Sequence, residues 1–238
     1  MCTLIALHHV VGGYPLVVGM NRDERRDRPA AAWSIIEERP RIVAPRDARA
    51  GGTWIGVNES GLVVALSNRR GRDSTSAKSR GLLVAEALRR ERPVGVDYVV
   101  RSEVAANEYN FFHLWAANRE EMRCWRFDGA VATTRGGPGT NVLTNRGFNE
   151  FGDPKALAVR QLVRSAEVGE LGAAVKALEA ALRNHGADAE VCNHGAIAGT
   201  VSSSILALHA DNPRENLLLY ADGQPCQAVY RDLSSLVR

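Results

Sequence analysis

Removal of Met1 would leave Cys2 with two reactive groups on one residue, a thiol and a free α-amine. Aminopeptidases that trim the initiator act when the next residue is small, and cysteine qualifies. An α-amine has a pKa of roughly 7.7–8.0, so near neutrality part of it is unprotonated and can accept the thiol proton. One residue then supplies nucleophile and general base together. The alternative is a small residue buried at the start of a strand, a common setting for free cysteine.

Two further segments can complete such a site. Asn21-Arg22-Asp23-Glu24 returns beside the N-terminus if Cys2 opens a hairpin. Asp23 can then hold the amine, and Arg22 can stabilise a thiolate or an anionic substrate; otherwise the run is a solvated charged turn. After the Gly136-Gly137-Pro138-Gly139 turn comes Asn141-Val142-Leu143-Thr144-Asn145. The Asn145 amide is a neutral donor suited to the oxyanion of a tetrahedral intermediate, and Asn68 can supply a second. Asparagine also favours turns for local reasons.

Other candidates read as structure. His8 and His9 point to opposite faces of a strand, so one at most can face a ligand. The four cysteines lie far apart with no CxxC pair, Cys192-Asn193-His194 lacks a second ligand pair and reads as loop, and no metal site is expected. Gly51-Gly52 and the 136–139 turn lack the Lys-Ser/Thr of a phosphate loop.

The elements that must position these groups follow from pattern. Residues 2–10 and 16–20 are apolar runs around Gly12-Gly13, a hairpin; 53–57 and 62–67 flank Asn58-Glu59-Ser60-Gly61, a second. Residues 21–28 and 39–49 read as charged or proline-containing connections. Helical patterns cover 79–92, 94–105, 154–168, with Asp153 as N-cap and Pro154 in the first turn, and 171–184. Strands are expected at 110–117, 122–127, 131–134, 200–209, 216–221 and 227–231. Hairpins without βαβ units predict an α+β fold of antiparallel sheets, in one domain over 1–238.

Composition narrows the function classes. Thirty basic residues against 27 acidic give a net charge of +3, with arginines interspersed among acids, which disfavours nucleic acid. The apolar runs are too short to span a bilayer and no secretory signal is visible, so a cytoplasmic protein is expected, with homo-oligomerisation left open.

Cys2, Asn21-Arg22-Asp23-Glu24, Arg28-Pro29, Gly51-Gly52-Thr53-Trp54-Ile55-Gly56, Asn68, Ser79-Arg80-Gly81 and Gly199-Thr200 with Ser202-Ser203 occur in the order typical of the NRDE family, that of transport and Golgi organisation 2. The chain resembles that family over nearly its whole length. It is also distantly similar to the choloylglycine hydrolase and penicillin V acylase group. There a processed Cys is followed by an Asp on the returning strand, matched by Asp23, and by an Asn-Glu-x-Gly-Leu turn, matched by Asn58-Glu59-Ser60-Gly61-Leu62. A substrate-site Asn and a Leu-Thr-Asn oxyanion motif are matched by Asn68 and Leu143-Thr144-Asn145. Two positions depart: Met20 stands where the acylases carry Arg, and Val201 where the NRDE family does.

The resemblance implies a four-layer αββα sandwich of the N-terminal-nucleophile hydrolase type. It implies hydrolysis of a C–N amide bond in a small molecule, without a cofactor. Cys2, Asp23, Asn145, Asn68 and Arg22 would be catalytic, and Asn21, Trp54 and Asn58 would line the substrate. A second reading keeps the scaffold without turnover, as a haem or lipid binding and trafficking protein, with His8, His9, Met20 or Cys2 against a hydrophobic ligand.

Overall fold

The computed structural model describes residues 2–186 and 189–238. The chain begins with β1 (Thr3–Val11), β2 (Tyr14–Arg25), β3 (Ala30–Glu38), β4 (Arg41–Asp47), β5 (Ile55–Asn58) and β6 (Val63–Asn68). Helices α1 (Arg80–Ala87) and α2 (Pro93–Ala106) lead to β7 (Phe112–Ala117), β8 (Met122–Phe127), β9 (Val131–Arg135) and β10 (Gly139–Leu143). Then come α3 (Pro154–Arg164), α4 (Leu171–Leu182), β11 (Ala198–Leu208), β12 (Leu217–Asp222) and β13 (Arg231–Asp232). Two compact units result: one runs to Asp27 and resumes over Gly137–Arg238, and the other is Arg28–Gly136.

The first unit is a six-stranded sheet in the order β10-β1-β2-β11-β12-β13, antiparallel throughout. Side chains alternate across a strand. Ile5 and Leu7 of β1, Val17 of β2 and Ile205 and Ala207 of β11 therefore share one face, where Val159, Val163, Leu178 and Leu182 of α3 and α4 cover them. The opposite set on β1, with Leu4, Ala6 and His8, is buried as well. Burial of both faces explains why the first strand is a nearly unbroken apolar run rather than a polar–apolar alternation. Asp153 caps α3 by accepting from the Lys155 backbone N–H, with Pro154 in the first turn.

The second unit is a seven-stranded antiparallel meander, β3 to β9 in sequence order. Its helix-covered face joins Leu62, Val64, Leu66, Phe112, Leu114 and Trp125 to Leu83, Val84 and Leu88 of the α1 region and to Val96 and Val100 of α2. The Trp125 indole N–H donates to Asp97 at 2.8 Å and ties α2 to β8. Among the described residues, no helix is long and apolar enough to cross a membrane.

Three segments differ from the sequence expectation. Residues 39–49 form β4, paired with β3 and β5, where a connection was expected. Pro45, which suggested a break, lies where the β3–β4 register slips between Ala31 and Ser34, a place where no ladder N–H is required. The charged run after Met20 continues β2 as far as Arg25, with Asn21, Arg22 and Asp23 buried. At the far end, the strand expected at 227–231 shrinks to Arg231–Asp232, because 224–228 turns on itself through bonds to the Gln224 carbonyl.

The Gly-Gly-Thr-Trp segment finds a structural reason in this second unit. The Thr53 N–H donates to the Gly81 carbonyl at 3.1 Å, and a Cβ on Gly52 would stand 2.3 Å from the Gly81 carbonyl carbon. Two backbones touch there, so the Gly51-Gly52 and Ser79-Arg80-Gly81 motifs are two halves of one contact. Gly52→Ala is therefore expected to destabilise the chain by about 1–3 kcal/mol through overpacking, read as a lowered urea midpoint at unchanged slope. Gly137→Ala, with open space around its Cβ, is the control and should leave the midpoint nearly in place.

Candidate functional site around Cys2

Strand register assembles the candidate site in the first unit. Thr3 pairs with Asn21, so extending β1 by one residue sets Cys2 beside Arg22. Leu4 pairs with Leu143, so the end of β10 that leads into Thr144-Asn145 lies beside the start of β1. On the far side of β2, Arg22 pairs with Ser202 and Asp23 with Thr200. Between those pairs β11 bulges, and Val201 is the extra residue. Cys2, Arg22 and Asp23 thus lie together at one end of the sheet, and the segment leading to Asn145 follows the strand on the other side of β1.

Asp23 is buried and fastened. Its Oδ1 accepts from the Thr200 hydroxyl at 2.6 Å, and the Thr200 Oγ1 in turn accepts from the Asn193 N–H at 2.9 Å. Burial raises its pKa; the positive charge of the chain terminus, the Thr200 hydrogen bond and Lys155 at the start of α3 oppose the rise. The same balance acts on Cys2, which is 8% exposed. Burial pushes the thiol up, while the terminal charge, the Asp23 backbone N–H directed at the sulfur and the Arg22 guanidinium pull it down. The net direction is upward, so at neutral pH the thiol keeps its proton and needs a base to become a nucleophile.

Asn145 is half-buried just beyond β10, and its loop is braced from below. Thr144 donates its hydroxyl to the Asp153 carboxylate, accepts from the Arg146 N–H at 3.1 Å, and closes the turn by a backbone bond to Gly147 at 3.1 Å. Because Asp153 also caps α3, the helix start and the Asn145 loop are held by one carboxylate. The Leu143-Thr144-Asn145 run therefore works as a unit: Leu143 in the ladder, Thr144 as the brace, Asn145 presented.

The other expected site residues have surroundings of their own. Asn21 alternates with Arg22 and points toward the helices; its Nδ2 donates to the carbonyls of Leu182 at 2.9 Å and Val191 at 3.1 Å. Asn21 anchors the end of α4, which corrects its assignment to the substrate. Asn58 is also structural. Its amide donates to Leu88 and Arg90 carbonyls at 2.8 and 2.6 Å and accepts from Ser60 and Leu62 N–H groups, which leaves little for a ligand. Trp54 is buried in the second unit between Thr53 and β5, and Asn68 is half-buried at the end of β6.

Ser202, Tyr220 and Asp222, which sequence reasoning passed over as site residues, extend the polar end of the sheet. Ser202 pairs with Asp222, and Ser204 with Tyr220. Burial raises the Tyr220 phenol, with Asp222 adding to the rise, while Ser202 and Arg22 lower it, which places all three side chains in electrostatic reach of Tyr220. The signal in the sequence is Ser202, beside the Gly199-Thr200 pair.

Comparison with known proteins agrees with this architecture. A family model described as Transport and Golgi organisation 2 matches residues 1–189. A Bos taurus protein described as a transport and Golgi organization protein 2 homolog is 33% identical over 109 residues, 44% of this chain and 39% of that protein. The match therefore spans well under half of that relative's length. Penicillin V acylase from Agrobacterium tumefaciens superposes with a TM-score of 0.60 at 13% identity, covering 98% of this chain and 86% of that one. For the Caenorhabditis elegans ortholog of N-acylethanolamine-hydrolyzing acid amidase the TM-score is 0.59 at 13% identity, over 87% and 92% of the two chains. The fold is thus the expected α+β, N-terminal-nucleophile hydrolase type.

A raised Asp23 pKa has a consequence for stability. The folded chain holds the Asp23 proton to higher pH than the unfolded chain does, where the carboxyl titrates near about 3.9. Its contribution is therefore fullest below that value and falls as pH rises toward the folded pKa. Thr200→Val removes a donor to the carboxylate. It should cost about 2 kcal/mol near neutral pH and move the Asp23 titration further upward. Carboxyl ¹³C NMR and urea midpoints across pH check both; an unmoved titration would reject the assignment of this bond.

Proposed function

The chain belongs to the Transport and Golgi organisation 2 family, and from that premise and the surroundings of Cys2 we propose an N-terminal-cysteine amidohydrolase that cleaves the C–N bond of a small acyl amide. The observation that supports this reading is the β1–β2 register, which brings Arg22 and Asp23 back beside the start of β1, with the Asp23 backbone N–H directed at the Cys2 sulfur. A likeness to amide-cleaving acylases supports it at the level of fold.

In this mechanism Met1 has been removed and Cys2 carries the α-amine. The amine takes the thiol proton as sulfur attacks the amide carbonyl, which meets the need created by a raised thiol pKa. The carbonyl oxygen becomes an oxyanion and accepts a hydrogen bond from the Asn145 amide. Collapse breaks the C–N bond, and the departing nitrogen takes the proton from the α-ammonium. Water then attacks the thioester and gives a proton back through the same amine, the acid leaves, and the thiol is restored. Asp23 holds the ammonium form of the amine, while Arg22 offsets negative charge at sulfur or on the substrate.

Two measurements test this reading. Intact mass of natively expressed protein should show Met1 absent and a single adduct after treatment with an acylating electrophile, mapped to Cys2. Asn145→Ala should lower kcat by about 10²–10³ with little change in KM, since it removes a contact made in the transition state. Retention of Met1, or adducts confined to Cys124, Cys192 or Cys226, would reject the mechanism.

A further inference from the structure

A second constellation, separate from Cys2, lies in the same unit. His185 follows α4, Cys192 and His194 sit in the loop before β11, and Cys226 follows β12. Their ligand atoms all lie within 4.8 Å of one another. The Cys192 and Cys226 sulfurs are 3.7 Å apart, and His194 Nε2 stands 3.7 Å from the first and 3.3 Å from the second. The rings of His185 and His194 meet edge to face at 4.6 Å.

The separations among Cys192, Cys226 and His194 are close to those of three corners of a tetrahedron, and His185 stands near enough to supply the fourth. With metal–sulfur bonds of about 2.3 Å and metal–nitrogen bonds of about 2.0–2.1 Å, tetrahedral angles put neighbouring ligands roughly 3.4–3.8 Å apart. A disulfide would need the sulfurs at about 2.05 Å, and it would leave two imidazoles converging without a purpose. Two thiolates and two neutral imidazoles also balance a divalent charge. Soft sulfur with imidazole in tetrahedral array selects zinc over the hard cations.

We propose that His185, Cys192, His194 and Cys226 bind one zinc ion in a closed site of two thiolates and two imidazoles. The surroundings support the ligand set. His185 Nδ1 lies 3.3 Å from the Cys192 carbonyl, so it carries the proton and leaves Nε2 with the lone pair. The Cys192 and Val191 N–H groups both donate to the Asn184 carbonyl, at 2.9 and 3.1 Å, which folds the loop back onto the end of α4. The His194 N–H donates to Glu190 at 3.1 Å. With all four positions taken by protein, the ion is structural, joining the loop after α4 to the segment beyond β12.

The ion also bears on Asp23. Asn193, between two of the ligands, exchanges backbone bonds with Thr200: the Thr200 N–H donates to its carbonyl at 2.8 Å, and its own N–H donates to the Thr200 hydroxyl oxygen. Thr200 holds Asp23, so zinc fixes the support of that carboxylate. This link rests on geometry and stands whether or not Cys2 is a nucleophile.

Elemental analysis of the full chain, purified under reducing conditions with zinc, should give one zinc per chain. Cobalt(II) titrated into the metal-stripped chain should produce thiolate charge-transfer absorption and the visible bands of tetrahedral coordination. Cys226→Ser and His194→Ala, both at positions that are not fully buried, should lose stoichiometric zinc and its rise in Tm while keeping a folded circular-dichroism spectrum. Cys2→Ala should keep its zinc, which separates this site from the amidase reading. A chain without zinc, variants that bind like wild type, or a Cys192–Cys226 disulfide recovered under reducing conditions would overturn the proposal.

Discussion

The hydroxyl of Thr200 donating to Asp23 fastens β11 to β2 at the point where their register slips. A bulge weakens a ladder locally, because the extra residue has no partner across the strand. Here the side-chain bond replaces what the backbone gives up, and it does so for a carboxylate whose pKa burial raises and this bond lowers. Without it, an acidic side chain at the end of a buried strand would face a desolvation cost with less to offset it. The ordering of Arg22 and Asp23, and through them the surroundings of Cys2, depends on this arrangement.

Much of this was legible in the chain. The hairpin that brings Asn21 to Asp23 back to the N-terminus follows from two apolar runs separated by Gly12-Gly13, and the structure pairs Thr3 with Asn21 accordingly. The Leu-Thr-Asn order singled out the segment around Asn145, although nothing in that order revealed the brace from Thr144 to Asp153. Local pattern failed where partners are remote. Asn21 looks like a substrate contact until the carbonyl of Leu182, 161 residues away, claims its amide. Likewise, Cys192 and Cys226 are 34 residues apart in sequence, and no spacing rule joins them. The β3–β4 pair was hidden for another reason: an edge strand exposed along much of its length, beside a partner containing Pro45, lacks the apolar signal of a strand.

The two units divide the work of the sequence motifs differently. In the first, polar residues bought to the end of a sheet are held by side-chain bonds and by alternation across strands. In the second, the Gly-rich motif and Asn58 maintain backbone geometry: Gly52 lies against Gly81, and Asn58 ties the β5–β6 turn to the residues after α1. A motif shared across a family therefore need not mark chemistry at each of its positions.

The first unit is discontinuous in sequence: β1 and β2 are made before the whole second unit, while β10 and β11, which flank them, come after it. On the ribosome the opening hairpin emerges with both outer edges unpaired and must wait for most of the polypeptide. The second unit, continuous over Arg28–Gly136, can complete its meander during that delay.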